Sequence, residues 1–333
     1  MQPIFTQPAQ VDSLYPFSAT RPVEDIRVGI MTIREKWQHL LPALQQEAGG
    51  VPVLPAWIIP DRNNALALLR GDWNGNHLKL ETPIDIFTHN QAALSADFAL
   101  LTEGRKSEVP HESNSCISPG NIFIEEGAKV RHSILNAEQG PIYIGRNAEV
   151  MEGCLIRGPF ALCESAVLKM GARVYGAATI GPYCIAGGEI KNSVMMGYSN
   201  KAHDGYLGDS VVGEWCNLGA GTTNSNMKNT VSPVRVWDKS AMDYIPRGLK
   251  CGLLMGDYSR SAINTAFNTG TVVGVCCHVF GDVKPPKLVA DFSWGNERYG
   301  WHQAMKDIRA WKALKRHELT GDEEETLKRI YHQ

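Results

Sequence analysis

Aliphatic side chains recur at every sixth position through the middle of the chain. The run consists of Ile144, Val150, Ile156, Leu162, Leu168, Val174 and Ile180. A period of 3.6 would indicate a helix and a period of two a strand, so a strict period of six fits neither. It is typical of a left-handed parallel β-helix, in which each hexapeptide is one flat face of a triangular coil and its aliphatic side chain points inward. Successive coils of such a helix stack at the strand spacing of about 4.8 Å.

A small residue stands two positions before most of these aliphatic residues. The small residues are Ala148, Cys154, Ala166, Ala172 and Ala178, while Ile142 and Phe160 take the same place in two repeats. In a triangular coil this place lies at a crowded corner, which explains why it favours small side chains. The chain is therefore predicted to be mainly β.

The repeat extends beyond this run in both directions. We predict that the coil begins near Asn121 and loses its register over residues 134–139. The register slips again at residues 186–188, where a bulge or a short insertion is expected. A later coil segment is predicted over residues 252–280.

Helical and short strand patterns flank the coil. Before it, the sequence predicts helices over residues 32–46, 61–69 and 84–101 and strands over 51–59 and 78–80. Thr32 with Glu35, and Thr320 with Glu323, have the spacing of a capping box. After residue 296, apolar residues mark one face of a helix: Trp301, Met305, Ile308, Trp311 and Leu314. We predict a small α/β domain with a linking helix at 1–110, a β-helix domain at 111–290 and a helical segment at 291–333.

Composition and charge narrow the class of protein. The net charge of -2 gives no reason to expect a nucleic acid or an acidic membrane as partner. No apolar stretch approaches the roughly 20 residues that span a bilayer, and the first residues do not have the pattern of a signal peptide. The eight cysteines include no C-x-x-C pair, so we expect small buried hydrophobic side chains in a reducing cytoplasm.

One polar stretch carries a motif. It reads Lys201-Ala202-His203-x-x-Tyr206-Leu207-Gly208-Asp209, followed by Asn217-x-Gly-Ala-Gly-Thr222-x-x-x-Asn226. This pattern resembles the acetyltransferase half of bifunctional N-acetylglucosamine-1-phosphate uridyltransferase/glucosamine-1-phosphate acetyltransferase, GlmU. The resemblance covers roughly residues 120–285 and is most specific between His203 and Asn226.

The resemblance implies acetyl transfer from acetyl-CoA to the amine of an amino-sugar phosphate or nucleotide-sugar. His203 would be the general base, because a neutral imidazole suits proton removal at neutral pH. Asn226 would contact the sugar and the acyl centre. The remaining roles follow the family: Lys169, Lys191, Tyr206 and Asn217 would bind the substrate, and Ala220 and Gly221 would lie against the pantetheine arm of the coenzyme. The family also implies a homotrimer and no metal at the site.

Two departures from the family pattern stand out. Ser232 occupies the place of a later phosphate-binding lysine, for which Lys228 or Arg235 would have to substitute. The glycine-rich G-x-G-T-R loop of the uridyltransferase half is missing, since the first glycine is Gly29. Residues 1–110 therefore look like a truncated sugar nucleotidyltransferase domain. With Thr20-Arg21-Pro22-Val23 near its start, the layout resembles a bacterial group of sugar nucleotidyltransferase-like proteins, and nucleotidyl transfer is not expected.

Several alternatives remain open. His203 could be a surface histidine, Lys169 and Lys191 could be solvated, and Asn217 and Asn226 could cap left-handed corners. A zinc hydrolyase on the same fold would need ligands from His132, His203 and His278 of facing subunits. Another alternative is a non-catalytic trimeric scaffold or sugar-nucleotide-binding protein, and a last one is residual sugar-1-phosphate nucleotidyl transfer.

Overall fold

Three parallel sheets form the central part of the molecule, and each is one face of a triangular solenoid. The computed structural model describes residues 3–44, 50–281 and 284–333. Within a face, each strand pairs with the strands one coil earlier and later; Phe160–Leu162, for example, lies between Ile142–Ile144 and Ala178–Ile180. This arrangement confirms the predicted left-handed parallel β-helix.

The faces are numbered in the order in which the chain visits them after residue 121. Face 1 comprises Ile122–Ile124, Ile142–Ile144, Phe160–Leu162, Ala178–Ile180, Val194–Gly197, Val211–Glu214, Leu253–Met255, Thr271–Val273 and Leu288–Val289. Face 2 comprises Lys129–Val130, Glu149–Val150, Val167–Leu168, Ile185–Ala186, Asn200–Lys201, Asn217–Leu218, Arg260–Ser261, His278–Val279, Ser293–Trp294 and the antiparallel Glu297–Arg298. Face 3 comprises Ser115–Ile117, Ile134–Asn136, Leu155–Arg157, Arg173–Tyr175, Glu189–Lys191 and Tyr206–Gly208. A further parallel pair, Thr223–Asn224 with Ala266–Phe267, follows face 3.

The aliphatic repeat fills the interior of the prism. Its members from Ile144 to Ile180 are at most 2% exposed and belong to one cluster of buried side chains. The small corner residues predicted from the sequence, among them Ala148 and Cys154, are fully buried. Each buried aliphatic side chain contributes about 1.5–3 kcal/mol, so stacking coils is what stabilises the solenoid.

The predicted start of the coil was wrong, whereas the predicted loss of register over residues 134–139 is present. The coil begins at Ser115–Ile117, not near Asn121. Residues 134–136 form a strand, but the coil is lengthened after it, because Ile124 pairs with Ile144 and is 20 residues away, whereas Ile144 pairs with Leu162 and is 18 residues away. At residues 186–188 the coil is shortened, not extended. Only two residues, Gly187 and Gly188, join the strands there, whereas residues 169–172 join the equivalent strands of the preceding coil.

The N-terminal segment packs on the outer side of face 1. It contains the short parallel strands Ile4–Thr6 and Val53–Pro55, the helices α1 (Ile33–Leu40), α2 (Ala65–Leu69), α3 (Ile84–Thr88) and α4 (Asn90–Thr102), and 3-10 turns at Val11–Leu14, Val23–Asp25 and Leu41–Leu44. Phe17 and Trp37 share one buried cluster with Val194, Met196 and Val211 of face 1. The segment and the solenoid thus have a common core.

The predicted N-terminal elements exist but are shorter than expected. The Thr32 capping box is present and starts α1, which ends at Leu40; residues 45 and 46 of the predicted helix lie outside the described residues. The helix predicted over 84–101 is two helices, and the strand predicted over 51–59 is reduced to Val53–Pro55. In the stretch predicted as a strand at 78–80, Lys79 makes an isolated bridge to Ile58. The three-part domain division stays a prediction.

The C-terminal helices pack along the corner between faces 1 and 2. They are α5 (Trp301–Leu314) and α6 (Gly321–Tyr331), and the predicted capping box of Thr320 and Glu323 starts α6. Met305 and Ile308 are buried as predicted, whereas Leu314 is exposed. Between residues 225 and 251 the chain leaves the coil and forms an antiparallel hairpin of Arg235–Asp238 and Asp243–Pro246, which the repeat pattern did not predict. In the described part of the chain, no helix combines the length and apolarity that a membrane span requires.

Candidate functional site

A column of glycine-rich turns joins face 2 to face 3 and carries His203. The turn at residues 202–205 lies between Gly188 of the preceding coil and Thr222 of the next. A Cβ atom on Gly188 would lie 2.9 Å from the carbonyl oxygen of His203, and one on Gly205 would lie 2.0 Å from that of Thr222. Both positions have positive φ angles, so only glycine allows this close stacking. The His203 side chain is exposed to solvent at this corner.

Lys201 holds this turn from inside the prism. Its side chain occupies an inward position that is aliphatic in the neighbouring coils and is only 2% exposed. Nζ donates to the carbonyl oxygens of Gly187, at 3.0 Å, and His203, at 2.5 Å. Burial lowers the pKa of Lys201 to about 8, and the nearby Asp204 carboxylate opposes this shift. The role of this lysine was missed in the sequence, although a charged residue six positions before Leu207 interrupts the repeat.

Three other predicted residues lie in the same column as His203. Lys169 is two coils earlier; its Cβ would be 3.1 Å from a Cβ on Gly187 of the intervening coil, and its side chain is partly exposed. Ala220 and Gly221 are one coil later, where the Gly221 N–H donates to the carbonyl oxygen of Asp204 at 3.1 Å. The structure therefore brings Lys169, His203, Ala220 and Gly221 to one edge of the solenoid.

A hydrogen-bonded group of Tyr206, Asp209 and Asn226 lies on the outer side of face 3. Nδ2 of Asn226 donates to the Tyr206 hydroxyl oxygen at 3.0 Å and to Oδ2 of Asp209. The phenol lies across Gly208, because a Cβ there would be 2.1 Å from the hydroxyl oxygen. Asp209 also accepts from Nδ2 of Asn192 at 2.7 Å. Burial raises the pKa of Tyr206 and the Asp209 carboxylate adds to the shift, so this hydroxyl keeps its proton at neutral pH.

Lys191 lies beside this group. Its backbone pairs with Gly208 in the adjacent strand, and its Nζ is 5.7 Å from the centre of the Tyr175 ring. The Tyr175 hydroxyl donates to Oε1 of Glu189 at 2.6 Å. Lys191, Tyr206 and Asn226 are thus together on face 3, and the turn that carries His203 leads into the strand that begins at Tyr206.

Asn217 lies apart from them, on the outer side of face 2. Its backbone neighbours in adjacent coils are Asn200 and Arg260. Asn200 accepts from Nζ of Lys315 at 3.1 Å, which brings the chain at the end of α5 over this part of the face. A single copy of the chain does not bring Asn217 together with Tyr206, and its predicted role stays a prediction.

The residues considered as substitutes for the missing phosphate-binding lysine bond within their own segment. Nζ of Lys228 donates to the carbonyl oxygen of Pro233 at 2.6 Å. Nε of Arg235 donates to the carbonyl oxygen of Tyr244 at 3.0 Å. Both side chains stabilise the hairpin region, and Ser232 next to them is partly exposed.

His278, one of the histidines considered for a zinc site, has a structural partner. It accepts a hydrogen bond from Arg260 at 2.9 Å and stacks on Trp294. Burial and the arginine charge lower the pKa of His278 to about 4. Among residues 3–44, 50–281 and 284–333, no three His, Cys, Asp or Glu side chains gather as a metal site would require.

Comparisons with known proteins agree with the motif. A family model described as sugar nucleotidyl transferase matches residues 3–51. The bifunctional protein GlmU of Methanocaldococcus jannaschii is 36% identical over 91 residues, which cover 27% of this chain and 22% of that protein. GlmU of Synechococcus elongatus is 27% identical over 174 residues, which cover 46% of this chain and 38% of that protein. The chain thus spans well under half the length of these curated relatives.

A likeness to solved structures is weaker. The crystal structure of the polySia-specific acetyltransferase NeuO covers 57% of this chain and 88% of its own at 10% identity, with a TM-score of 0.28. A TM-score this low carries no argument about function. What the sequence relatives and the solenoid together establish is that this chain resembles the acetyltransferase half of GlmU.

Proposed function

We propose that this protein transfers an acyl group, acetyl in the first instance, from acetyl-CoA to the amine of an amino-sugar phosphate or nucleotide-sugar. The observation that carries the proposal is the position of His203. Its imidazole is solvent-exposed, while its backbone is packed against neighbouring turns and bonded by Lys201 from inside the prism. A base that is fixed in place yet accessible is what proton removal from a bound amine requires.

The chemistry assigns a proton path to this residue. An ammonium has no lone pair, so the acceptor first releases one proton to solvent and attacks the thioester carbonyl as the neutral amine. This nitrogen must lose a second proton as the amide forms. The C–N bond forms, the C–S bond breaks, and His203 takes the proton from nitrogen and returns it to the departing thiolate. Asn226 would contact the sugar and the acyl centre, and Tyr206 would orient the acceptor.

The other predicted residues have places that support binding roles. Lys169 lies two coils before the His203 turn and Lys191 one coil before it, and both would hold a sugar phosphate as point charges. Ala220 and Gly221 leave the backbone of the corner open to a pantetheine arm, because neither side chain extends beyond one methyl group. We keep Asn217 as a predicted substrate-binding residue.

The proposal includes a homotrimer. Ile117, Ile134 and Leu155 point outward from face 3 and are between 39% and 47% exposed. Adjacent exposed aliphatic residues on one sheet are typical of a surface that another chain covers. A neighbouring copy on face 3 would also complete the surroundings of Tyr206 and Asn226.

We also propose that nucleotidyl transfer has been lost. The first glycine, Gly29, uses its backbone groups to join the N-terminal segment to the solenoid. Its N–H donates to Oδ1 of Asn90 at 2.7 Å, and its carbonyl oxygen accepts from the Thr179 hydroxyl at 3.0 Å. Backbone groups engaged in this way cannot wrap nucleotide phosphates.

The test is an assay of coenzyme A thiol release. Purified protein would be supplied with acetyl-CoA and a panel of amino-sugars, their 1-phosphates and their nucleotide derivatives. We expect release that depends on one acceptor, that His203→Ala abolishes and that His132→Ala leaves intact, because His132 is an exposed histidine in the same column of turns but lies four coils before His203.

Either of two results would contradict the proposal. Release that survives in His203→Ala would remove the general base. No release with any acceptor, from protein that is folded and trimeric, would favour the alternative of a sugar-nucleotide-binding scaffold. Binding of the nucleotide-sugars without turnover would identify that alternative directly.

A further inference from the structure

The surroundings of Asn226 fix which end of its amide faces outward. An ionised carboxylate only accepts hydrogen bonds, so the amide nitrogen of Asn226 must face Asp209; the reversed amide would oppose two oxygens. The same nitrogen donates to the Tyr206 hydroxyl oxygen. In the described part of the chain, Oδ1 of Asn226 accepts no hydrogen bond, so this oxygen is the free end of the side chain.

The carboxylate that sets this orientation is shielded from water and, in the described chain, has no cation beside it. Asp209 is 4% exposed, and its side chain accepts from the amides of Asn192 and Asn226. No Lys, Arg or His of the described residues forms an ion pair with it. A charge shielded from water acts on its surroundings more strongly than an exposed one, so the potential beside Asn226 favours a cation.

We propose that Asp209 determines the acceptor specificity of this site. It holds Asn226 with its amide oxygen outward, beside the Tyr206 hydroxyl, and its charge favours an ammonium group over a hydroxyl group in contact with that oxygen. The bound ammonium then releases one proton to solvent, and His203 takes a second proton from the resulting amine as it attacks. This inference rests on the proposed function, and it assigns the preference for an amine to one residue.

The test measures binding without an acyl donor, so that it does not depend on turnover. Titration calorimetry at slightly acidic pH would compare glucosamine 1-phosphate with glucose 1-phosphate, and uridine-diphosphate-glucosamine with uridine-diphosphate-glucose. We expect the wild type to bind the amine of at least one pair about tenfold more tightly, as a hydrogen bond to a charged group implies. Asp209→Asn should reduce this preference to about twofold or less.

Two features make the comparison interpretable. Asparagine has the size of aspartate and tolerates the φ of +48° at residue 209, so the variant should keep the fold. Asp204→Asn is the matched control, because it removes an exposed carboxylate from the same coil and should leave the preference unchanged.

The possible outcomes separate this inference from the proposed function. The role of Asp209 is overturned if the amine preference is unchanged in Asp209→Asn or falls equally in Asp204→Asn. It is also overturned if the wild type binds none of the four compounds or does not prefer an amine. An amine preference that depends on Asp209, found without any thiol release, supports the specificity and contradicts the acyl transfer.

Discussion

A buried ion pair between helices α1 and α4 provides the sharpest test of how the N-terminal segment is held. Nζ of Lys36 donates to both oxygens of Asp97, and both side chains are buried. Oδ2 of Asp97 also accepts from the backbone N–H groups of Ile30 and Met31 at 2.8 and 3.1 Å. Lys36→Met keeps the packing volume but leaves a buried carboxylate without its cation.

Removing one partner of such a pair costs roughly 3–5 kcal/mol. Because the two backbone donors remain, we expect a loss near the lower end, about 3 kcal/mol of the free energy of unfolding. Urea titration followed by tryptophan fluorescence, to which the adjacent and fully buried Trp37 contributes, would measure it. Arg62→Met is the control, since the pair of Arg62 with Glu103 is exposed and should contribute much less.

The loss of unfolding free energy in Lys36→Met should also depend on pH. Burial raises the pKa of Asp97, and Lys36 opposes that shift. Without Lys36 the folded-state pKa rises further above the unfolded value, so the folded variant binds a proton more tightly. Its stability is then greatest at low pH and is lost as pH rises through the folded pKa. The deficit of Lys36→Met should therefore shrink from pH 7 toward pH 5. A deficit under about 1 kcal/mol at pH 7, or one that grows as pH falls, would refute this reasoning.

Three further predictions concern the solenoid. Leu162 is in the fully buried interior, so Leu162→Ala should lower the free energy of unfolding by about 2–5 kcal/mol. Leu155 points outward, so Leu155→Ala should lower it clearly less in the monomer. Equal losses in urea titrations would contradict the assigned register. Gly208→Ala should displace the phenol of Tyr206, so calorimetry should show acceptor binding at least tenfold weaker with little change in melting temperature. An unchanged affinity would argue against a role for this ring. The pKa of Lys201 is lowered to about 8 in the folded protein, so above that pH the unfolded chain binds one proton more than the folded chain. The free energy of unfolding of the wild type should therefore rise by on the order of 2 kcal/mol relative to that of Lys201→Met between pH 8 and 10. A stability difference that does not change over this range would disprove the lowered pKa.

The sequence was most informative where one physical constraint repeats. The prism interior admits only aliphatic side chains, so the period from Ile144 to Ile180 predicted the fold and its core directly. Shortening of a coil is not visible in this way, because Gly187-Gly188 breaks the period just as an insertion would. The hairpin after residue 225 has its own local pattern and carries no trace of the repeat.

The candidate site was only partly predictable for a similar reason. The spacing of the motif predicted that His203, Ala220 and Gly221 share one corner, because a coil maps sequence spacing onto a column of turns. It could not show that Asn217 lies on the outer side of face 2, beside Asn200 and the end of α5, whereas Tyr206 lies on face 3. Nor could it assign a role to Asp209, whose orientation of Asn226 depends on hydrogen bonds across 17 residues of chain.

The way the flanking segments cover the solenoid has a consequence for the site. The N-terminal segment packs against face 1, and the C-terminal helices lie along the corner of faces 1 and 2, where Trp215 contacts the charged end of Lys312. Face 3 keeps outward aliphatic residues at Ile134 and Leu155, in the same sheet that carries Tyr206. In the proposed homotrimer, subunit contact and acceptor binding would therefore share one face. A charge placed on this face, as in Leu155→Glu, should then weaken assembly and acceptor binding together, although Leu155 is three coils away from Tyr206.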